Sequence, residues 1–245
     1  MLYVVRMALL GLNFLVVGVL GLLVGLARPF NPDNNRIFAR LYSRPSLALM
    51  GLRLEADVTT LQAQPPGFVI IANHQSNFDV FFLGSIVPRR MACIGKKSLG
   101  WVPLFGQLFW LGGNVLLNRD NAYQARRALQ TTSRVLRDQH TSIWIFPEGT
   151  RNPDERLLPF KKGAFMMAID AGVPIVPVCA SRYVHALDFN RRHSGDIRVR
   201  SLAPIPTQGL TAKDIPDLMA RCEHAMQACI DELSQLTELQ AHASL

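Results

Sequence analysis

Gly67-Phe68-Val69-Ile70-Ile71-Ala72-Asn73-His74-Gln75-Ser76-Asn77-Phe78-Asp79 is an apolar run that ends abruptly in a polar cluster. That layout reads as a buried strand delivering a histidine to a loop, with a helix starting behind it. On one continuous helix, positions five apart diverge by about 140°, so His74 and Asp79 would face apart. With His74 ahead of the helix and Asp79 in its first turn, the chain can fold back and the two side chains can meet. Ser76 or Asn77 is placed to cap that helix, and a carboxylate near its start suits the helix dipole. A neutral imidazole oriented by a carboxylate is a general base.

The same rhythm of short apolar runs and helix-period stretches continues on both sides. Strands are predicted at 52–56, 68–72, 91–94, 115–117, 142–146, 175–180 and 197–202, and helices at 80–86, 123–138 and 164–171. A long amphipathic helix closes the chain, with Ile215, Leu218, Met219, Cys222, Met226, Ile230 and Leu233 on one stripe. Strands alternating with helices argue for the α/β class, a mixed β-sheet flanked by helices.

Ahead of this lies an N-terminal hydrophobic membrane-anchoring helical segment. Residues 7–26 form an uncharged run of twenty, long enough as a helix (about 30 Å) to cross a hydrocarbon core. The run is too long for the usual core of a signal peptide, and Arg28-Pro29-Phe30-Asn31 is no small-residue cleavage site. Arg28, Arg36, Arg40 and Arg44 follow it against Arg6 alone in front, which keeps the rest of the chain cytoplasmic. Gly11, Gly18 and Gly25 recur every seven residues, which reads either as a packing face or, more simply, as the glycines common in membrane helices. A shorter basic and apolar segment, 34–50, either lies in the headgroup layer or returns beside the first helix, and Pro45 is expected to break or kink it. Residues 1–50 are thus expected to be membrane-anchoring helices and 51–245 a catalytic domain.

Composition agrees with a membrane setting. Of 245 residues 49% are apolar, the formal charge is +8 and the mean hydropathy is positive. A basic chain suits a partner with negative charge. Nucleic acid is disfavoured, because the basic residues are scattered and no zinc-finger or aromatic RNA-binding motif occurs. Cys93, Cys179, Cys222 and Cys229 contain no CxxC pair and read as reduced core thiols.

Further clusters follow other predicted strands. Phe146-Pro147-Glu148-Gly149-Thr150-Arg151 offers a glycine for close backbone approach, a hydroxyl donor and a guanidinium fork for phosphate or carboxylate. It also reads as a turn with Glu148 and Arg151 paired. Lys96 and Lys97 lead into 98–110, rich in aromatic residues, which suits a bilayer interface, the wall of a greasy ligand site or plain core packing. Gly113 to Arg119 brings another arginine to a strand end, and Lys161-Lys162-Gly163-Ala164 precedes a helix, where anions are favoured. Taken singly, such basic pairs also read as solvated faces. Clusters at strand ends on one edge of an α/β sheet share a cleft.

Taken together, the motifs resemble those of the glycerolipid acyltransferases. His74 to Asp79 matches their H-x4-D signature and Glu148 to Arg151 their E-G-T-R block; Gly113 to Arg119 resembles the intervening arginine block and 173–178 the proline-containing one. Order and spacing agree, and with the hydrophobic N-terminus the resemblance covers nearly the whole chain. It implies transfer of a fatty acyl group from acyl-CoA or acyl carrier protein to the sn-2 hydroxyl of lysophosphatidate, giving phosphatidate, with no cofactor. His74 is then the base and Asp79 its orienter. Glu148, Gly149, Thr150 and Arg151 form the acceptor's phosphate site, Arg119 assists, Lys96 and Lys162 contact phosphate or donor, and 173–178 shapes a pocket. Membrane lipids are the setting, at a bacterial inner membrane with the catalytic domain facing the cytoplasm. Asn118 departs from the aspartate that close relatives often carry there, which bears on acceptor preference. Within the same class stands an acyltransferase for another lysolipid, such as a lyso-ornithine lipid. A metal-dependent hydrolase using His74 and Asp79 as ligands is the competing class, yet His140, His185, His193, His224 and His242 lie outside any recognisable ligand spacing.

Overall fold

The described residues, 1–118 and 121–243 of a computed structural model, contain seven strands: β1 (Leu52–Asp57), β2 (Val69–Ala72), β3 (Met91–Lys96), β4 (Val115–Leu117), β5 (Ser142–Ile145), β6 (Ile175–Ala180) and β7 (Gly195–Ser201). They form one mixed sheet in the order β1-β7-β6-β2-β5-β3-β4. The run β6-β2-β5-β3-β4 is parallel throughout, whereas β7 pairs antiparallel to β6 and parallel to β1. The carboxyl ends of β2 to β6 therefore collect along one edge.

The helices are α1 (Leu2–Ala27), α2 (Asp33–Met50), α3 (Thr59–Ala63), α4 (Asp79–Leu83), α5 (Phe105–Leu111), α6 (Ala122–Gln139), α7 (Gly163–Ala171) and α8 (Ile215–Ala243). Val69 and Ile71 pack with Leu136, Phe165, Met167, Met226 and Ile230 of α6, α7 and α8 on one face. Phe68, Ile70 and Ala72 pack with Met50 and Phe82 on the other. A central strand covered on both faces has to be apolar at every position, which is why 68–72 shows no alternation.

All seven predicted strands occur, with ends shifted by a residue or two. One reading needs correction. Pro45 does not break the second helix: α2 runs through it, with Pro45 itself exposed. Phe38 and Tyr42 pack toward α1 while Ser43 and Met50 are fully buried, and these contacts outweigh the roughly 3 kcal/mol that an interior proline costs. The stretch 97–111 forms a 3-10 turn (Lys97–Trp101) followed by α5, with Trp101 and Trp110 exposed and Leu108 and Leu111 buried.

The helix α1 is long and apolar enough to cross a membrane, yet it packs on the rest of the chain at both ends. Gly18, Gly21 and Gly25 face Leu104, Leu108 and Leu111, so closely that an added Cβ would sit 2.8, 2.9 and 2.9 Å from them. Gly11 meets nothing within 4 Å, so the packing face follows 18, 21 and 25 rather than a seven-residue repeat. At the other end the buried Arg6 donates to the carbonyls of Phe189 (2.9 Å), Arg191 (2.8 Å) and Arg192 (2.8 Å) and to the Ser194 hydroxyl. The opposite face exposes Leu9, Leu12, Leu15, Val16, Val19 and Leu23. Gly21→Val is expected to cost about 1–3 kcal/mol, because Leu108 is itself buried and cannot retreat. A drop in the midpoint of thermal unfolding in detergent, with faster proteolysis within α1, checks it.

Candidate active site

The loop between β2 and α4 is built by side chains acting as substitute backbone. Asn73 donates to the Ala180 carbonyl (3.0 Å) and accepts from the Ala180 N–H (2.9 Å), adding one rung to the β2–β6 ladder. Gln75 donates to the Ser181 carbonyl (2.8 Å) and accepts from the Tyr183 N–H (3.2 Å). Both side chains are buried, and each has its donor and its acceptor used. The turn after the strand is thereby held to the segment that follows β6.

Asp79 opens α4 and points back over the loop. Its Oδ2 accepts from the Gln75 N–H (2.7 Å), from the Ser76 N–H (3.2 Å) and from His74 Nδ1 (2.5 Å). Its Oδ1 accepts from the Tyr183 hydroxyl. The His74 and Asp79 side chains do meet, and the chain folds back as the spacing required. The cap is a correction: no side chain caps α4, because Ser76 Oγ accepts from the Phe78 N–H (2.9 Å), just ahead of the helix, and Asn77 is exposed.

A carboxylate accepts from Nδ1–H, so the neutral His74 ring carries its lone pair on Nε2. Among the described residues Nε2 has no hydrogen-bond partner, and the side chain is 22% exposed against 2% for Asp79. The ring stacks on Phe146 at 4.1 Å with an interplanar angle of 17°. The peptide is held at both ends: the His74 N–H donates to Glu148 Oε1 (3.3 Å) and its carbonyl accepts from the Asn152 N–H (2.7 Å).

The loop after β5 thus lies directly against His74. Within it Glu148 is placed differently from a phosphate ligand. It is buried, and its Oε2 accepts from Asn152 Nδ2 (3.0 Å) and the Leu158 N–H (3.0 Å), so both oxygens are occupied within the protein. Glu148 and Arg151 are not an ion pair; Thr150 and Arg151 are both exposed. Gly149 has φ +73°, and an added Cβ would lie 2.7 Å from Cε and Nζ of Lys161, which crosses directly over it. The left-handed backbone calls for glycine here, whereas the exposed, flexible end of Lys161 could move aside.

Lys96 ends β3 on this same edge and is exposed. Lys162 is exposed just before α7, while its neighbour Lys161 is the lysine over Gly149. Arg119 lies outside the described residues. The 173–178 block does not shape a pocket: Ile175 packs into one core and Val176 and Val178 into the other, as interior of β6. Tyr183 and Asn152, absent from the sequence reading, complete the loop. Tyr183 follows β6 on the same ligand-facing edge, which is the signal that could have found it.

Across residues 55–181 the sequence matches the model of the Acyltransferase family. It is 38% identical to the 1-acyl-sn-glycerol-3-phosphate acyltransferase of Haemophilus influenzae, over 96% of this chain and 98% of that one. The chain belongs to the acyltransferase family. The Escherichia coli enzyme of the same name is also 38% identical, over 96% of both chains, and the human alpha form 36%, over 95% of this chain and 82% of that one. Among solved structures, the 1-acyl-sn-glycerophosphate acyltransferase PlsC of Thermotoga maritima superposes with a TM-score of 0.71 at 23% identity, covering 94% of this chain and 97% of that one. That likeness extends over the N-terminal helices as well as the sheet. As an acyltransferase the chain is an enzyme of group transfer and not the hydrolase considered as the competing class.

Proposed function

We propose that this acyltransferase moves a fatty acyl group from a thioester donor, acyl-CoA or acyl carrier protein, to the sn-2 hydroxyl of 1-acyl-glycerol 3-phosphate, giving phosphatidate. One observation carries the chemistry: His74 Nδ1 lies 2.5 Å from a buried carboxylate, while Nε2 has no partner among the described residues on a side chain that is 22% exposed. Nε2 takes the hydroxyl proton as the acceptor oxygen attacks the thioester carbonyl. Asp79 stabilises the imidazolium that forms. The tetrahedral adduct collapses with departure of the thiolate, which takes the proton back from Nε2. Ser76 is no rival nucleophile, because its hydroxyl is engaged by Tyr183 (2.7 Å) and by the Phe78 N–H. No acyl-enzyme is formed.

The acceptor's phosphate is held by Arg151, with Thr150 and Lys161 beside it. Gly149 lets Lys161 lie close to the loop, and Arg151 makes no ion pair among the described residues, so its fork is available to a dianion. Lys96, on the same edge, is placed for the donor or the phosphate. Glu148 acts from beneath by holding the His74 peptide. Arg151→Ala is expected to raise KM for lysophosphatidate about tenfold or more with kcat little changed, as when ground-state binding is lost. An unchanged KM moves the phosphate site elsewhere.

The setting is the cytoplasmic face of a bacterial inner membrane. The uncovered apolar face of α1 suits lipid, and the arginines of α2 suit headgroup phosphates. With Arg6 tied to the loop at 189–194 and Gly25 packed on α5, both ends of α1 stay with the catalytic domain, a posture for insertion into one leaflet. A transfer assay against a panel of lysolipids, scored by product mass, tests the proposal. Phosphatidate formed from lysophosphatidate supports it; transfer only to another lysolipid, such as lyso-ornithine lipid, overturns it.

A further inference from the structure

We propose that Tyr183 is a positioning residue for the reaction, holding the carboxylate oxygen of Asp79 that His74 does not use. The inference rests on the reading of His74 as the base. Tyr183 stands 104 residues along the chain from Asp79, in the segment after β6, and only 1% of it is exposed. Its hydroxyl touches Asp79 Oδ1 on one side and Ser76 Oγ (2.7 Å) on the other.

The direction of every bond in this group can be assigned. A carboxylate only accepts, so Tyr183 donates to Asp79. The Tyr183 oxygen is then an acceptor toward Ser76, so the Ser76 hydroxyl donates to it. Ser76 Oγ in turn accepts from the Phe78 N–H (2.9 Å). The result is one chain, Phe78 N–H to Ser76 to Tyr183 to Asp79, ending on the carboxylate that faces His74. Bonds linked in this way polarise one another in the same direction.

Packing alone does not call for the hydroxyl. The Tyr183 ring meets Phe82 edge to face, with centroids 5.2 Å apart at 82°, in a cluster a phenylalanine would fill equally well. A buried hydroxyl costs free energy unless it is bonded, so its presence is accounted for by Asp79 and Ser76. Burial and the adjacent carboxylate push the phenol well above its ordinary range, so Tyr183 stays a neutral donor wherever the enzyme works. The ring cannot drift, because the Tyr183 N–H donates to Gln75 (3.2 Å) and its carbonyl accepts from the Ala186 N–H (3.0 Å).

The other groups facing the pair are few. Glu148 holds the His74 N–H, the Phe146 ring covers the imidazole, and Asn73, Gln75 and Ser181 are neutral. Arg182 is turned away to Asp231 (2.6 Å). Without the Tyr183 hydroxyl, Asp79 loses the contact that fixes its carboxylate plane, so the imidazole is less well aimed and kcat falls, while Oδ1 keeps more of its charge and favours the imidazolium.

Tyr183→Phe is the test, assayed as full-length protein with lysophosphatidate and acyl-CoA. We expect kcat to fall about tenfold with KM for lysophosphatidate unchanged, and the acid limb of the kcat/KM profile to move to higher pH. Ser76→Ala, which removes the donor to the Tyr183 oxygen but keeps the ring, moves the limb the same way by less, and carries the test should Tyr183→Phe not fold. A wild-type kcat and profile in both variants overturns the inference. So does a lowered Tm with wild-type kcat per folded molecule, which is a structural role only. If His74→Ala is inactive while Tyr183→Phe is indistinguishable from wild type, this inference alone falls; an active His74→Ala removes the reading beneath it.

Discussion

Purified His74→Ala protein is expected to lose acyl transfer by a factor of about 10²–10⁴ while unfolding at nearly the wild-type temperature. The two halves of that result have separate causes. Activity falls because the variant lacks Nε2, the imidazole nitrogen that has no hydrogen-bond partner among the described residues. Stability holds because Asp79, though buried, does not become an unpaired charge. It keeps the Gln75 and Ser76 N–H groups and the Tyr183 hydroxyl. The clamp on the peptide from Glu148 and Asn152 uses backbone atoms and survives the truncation. Rates of product formation and a thermal melt on the same preparation check both halves.

Glu148→Ala is expected to behave in the opposite manner, losing stability and activity together. The buried carboxylate receives the His74 N–H, Asn152 Nδ2 and the Leu158 N–H. Its removal takes the acceptor from the part-buried His74 and Leu158 N–H groups, while Asn152 Nδ2 keeps the Arg156 carbonyl (2.7 Å), so a loss of about 1–3 kcal/mol is expected. The His74 loop then loses one end of its clamp, and kcat drops even at temperatures where the variant is folded. Chemical unfolding and kcat measured side by side decide the matter. A variant with wild-type stability and only a raised KM would return Glu148 to the role of a substrate ligand. Arg151→Ala makes the contrast, since Arg151 is exposed and changes binding without touching the clamp.

The central strands were legible because burial on both faces forces unbroken apolar runs, as 68–72 and 175–180 show, whereas β7 shows the alternation of a strand covered on one face. The His74–Asp79 pair was legible for a local reason: five residues across a strand-to-helix junction leave few ways to turn. What stayed hidden was long-range. Nothing near position 148 says whether a glutamate points outward to a phosphate or inward to a backbone N–H 74 residues away. Tyr183 likewise looks like any aromatic after a strand until the fold carries it to Asp79. Pro45 misled because local propensity was weighed without the packing on either side of α2. The glycines of α1 misled in part because their spacing was judged within one helix, whereas Leu104, Leu108 and Leu111 on another decide which of them matter.

The pH dependence of kcat/KM with lysophosphatidate, measured for wild type and for the residual activity of His74→Ala, tests the central claim most directly. A single acid limb is expected in the wild type, where the base must be unprotonated to act, and no such limb in the variant. The same limb in both proteins would contradict it, because the titrating group that governs transfer would then not be His74.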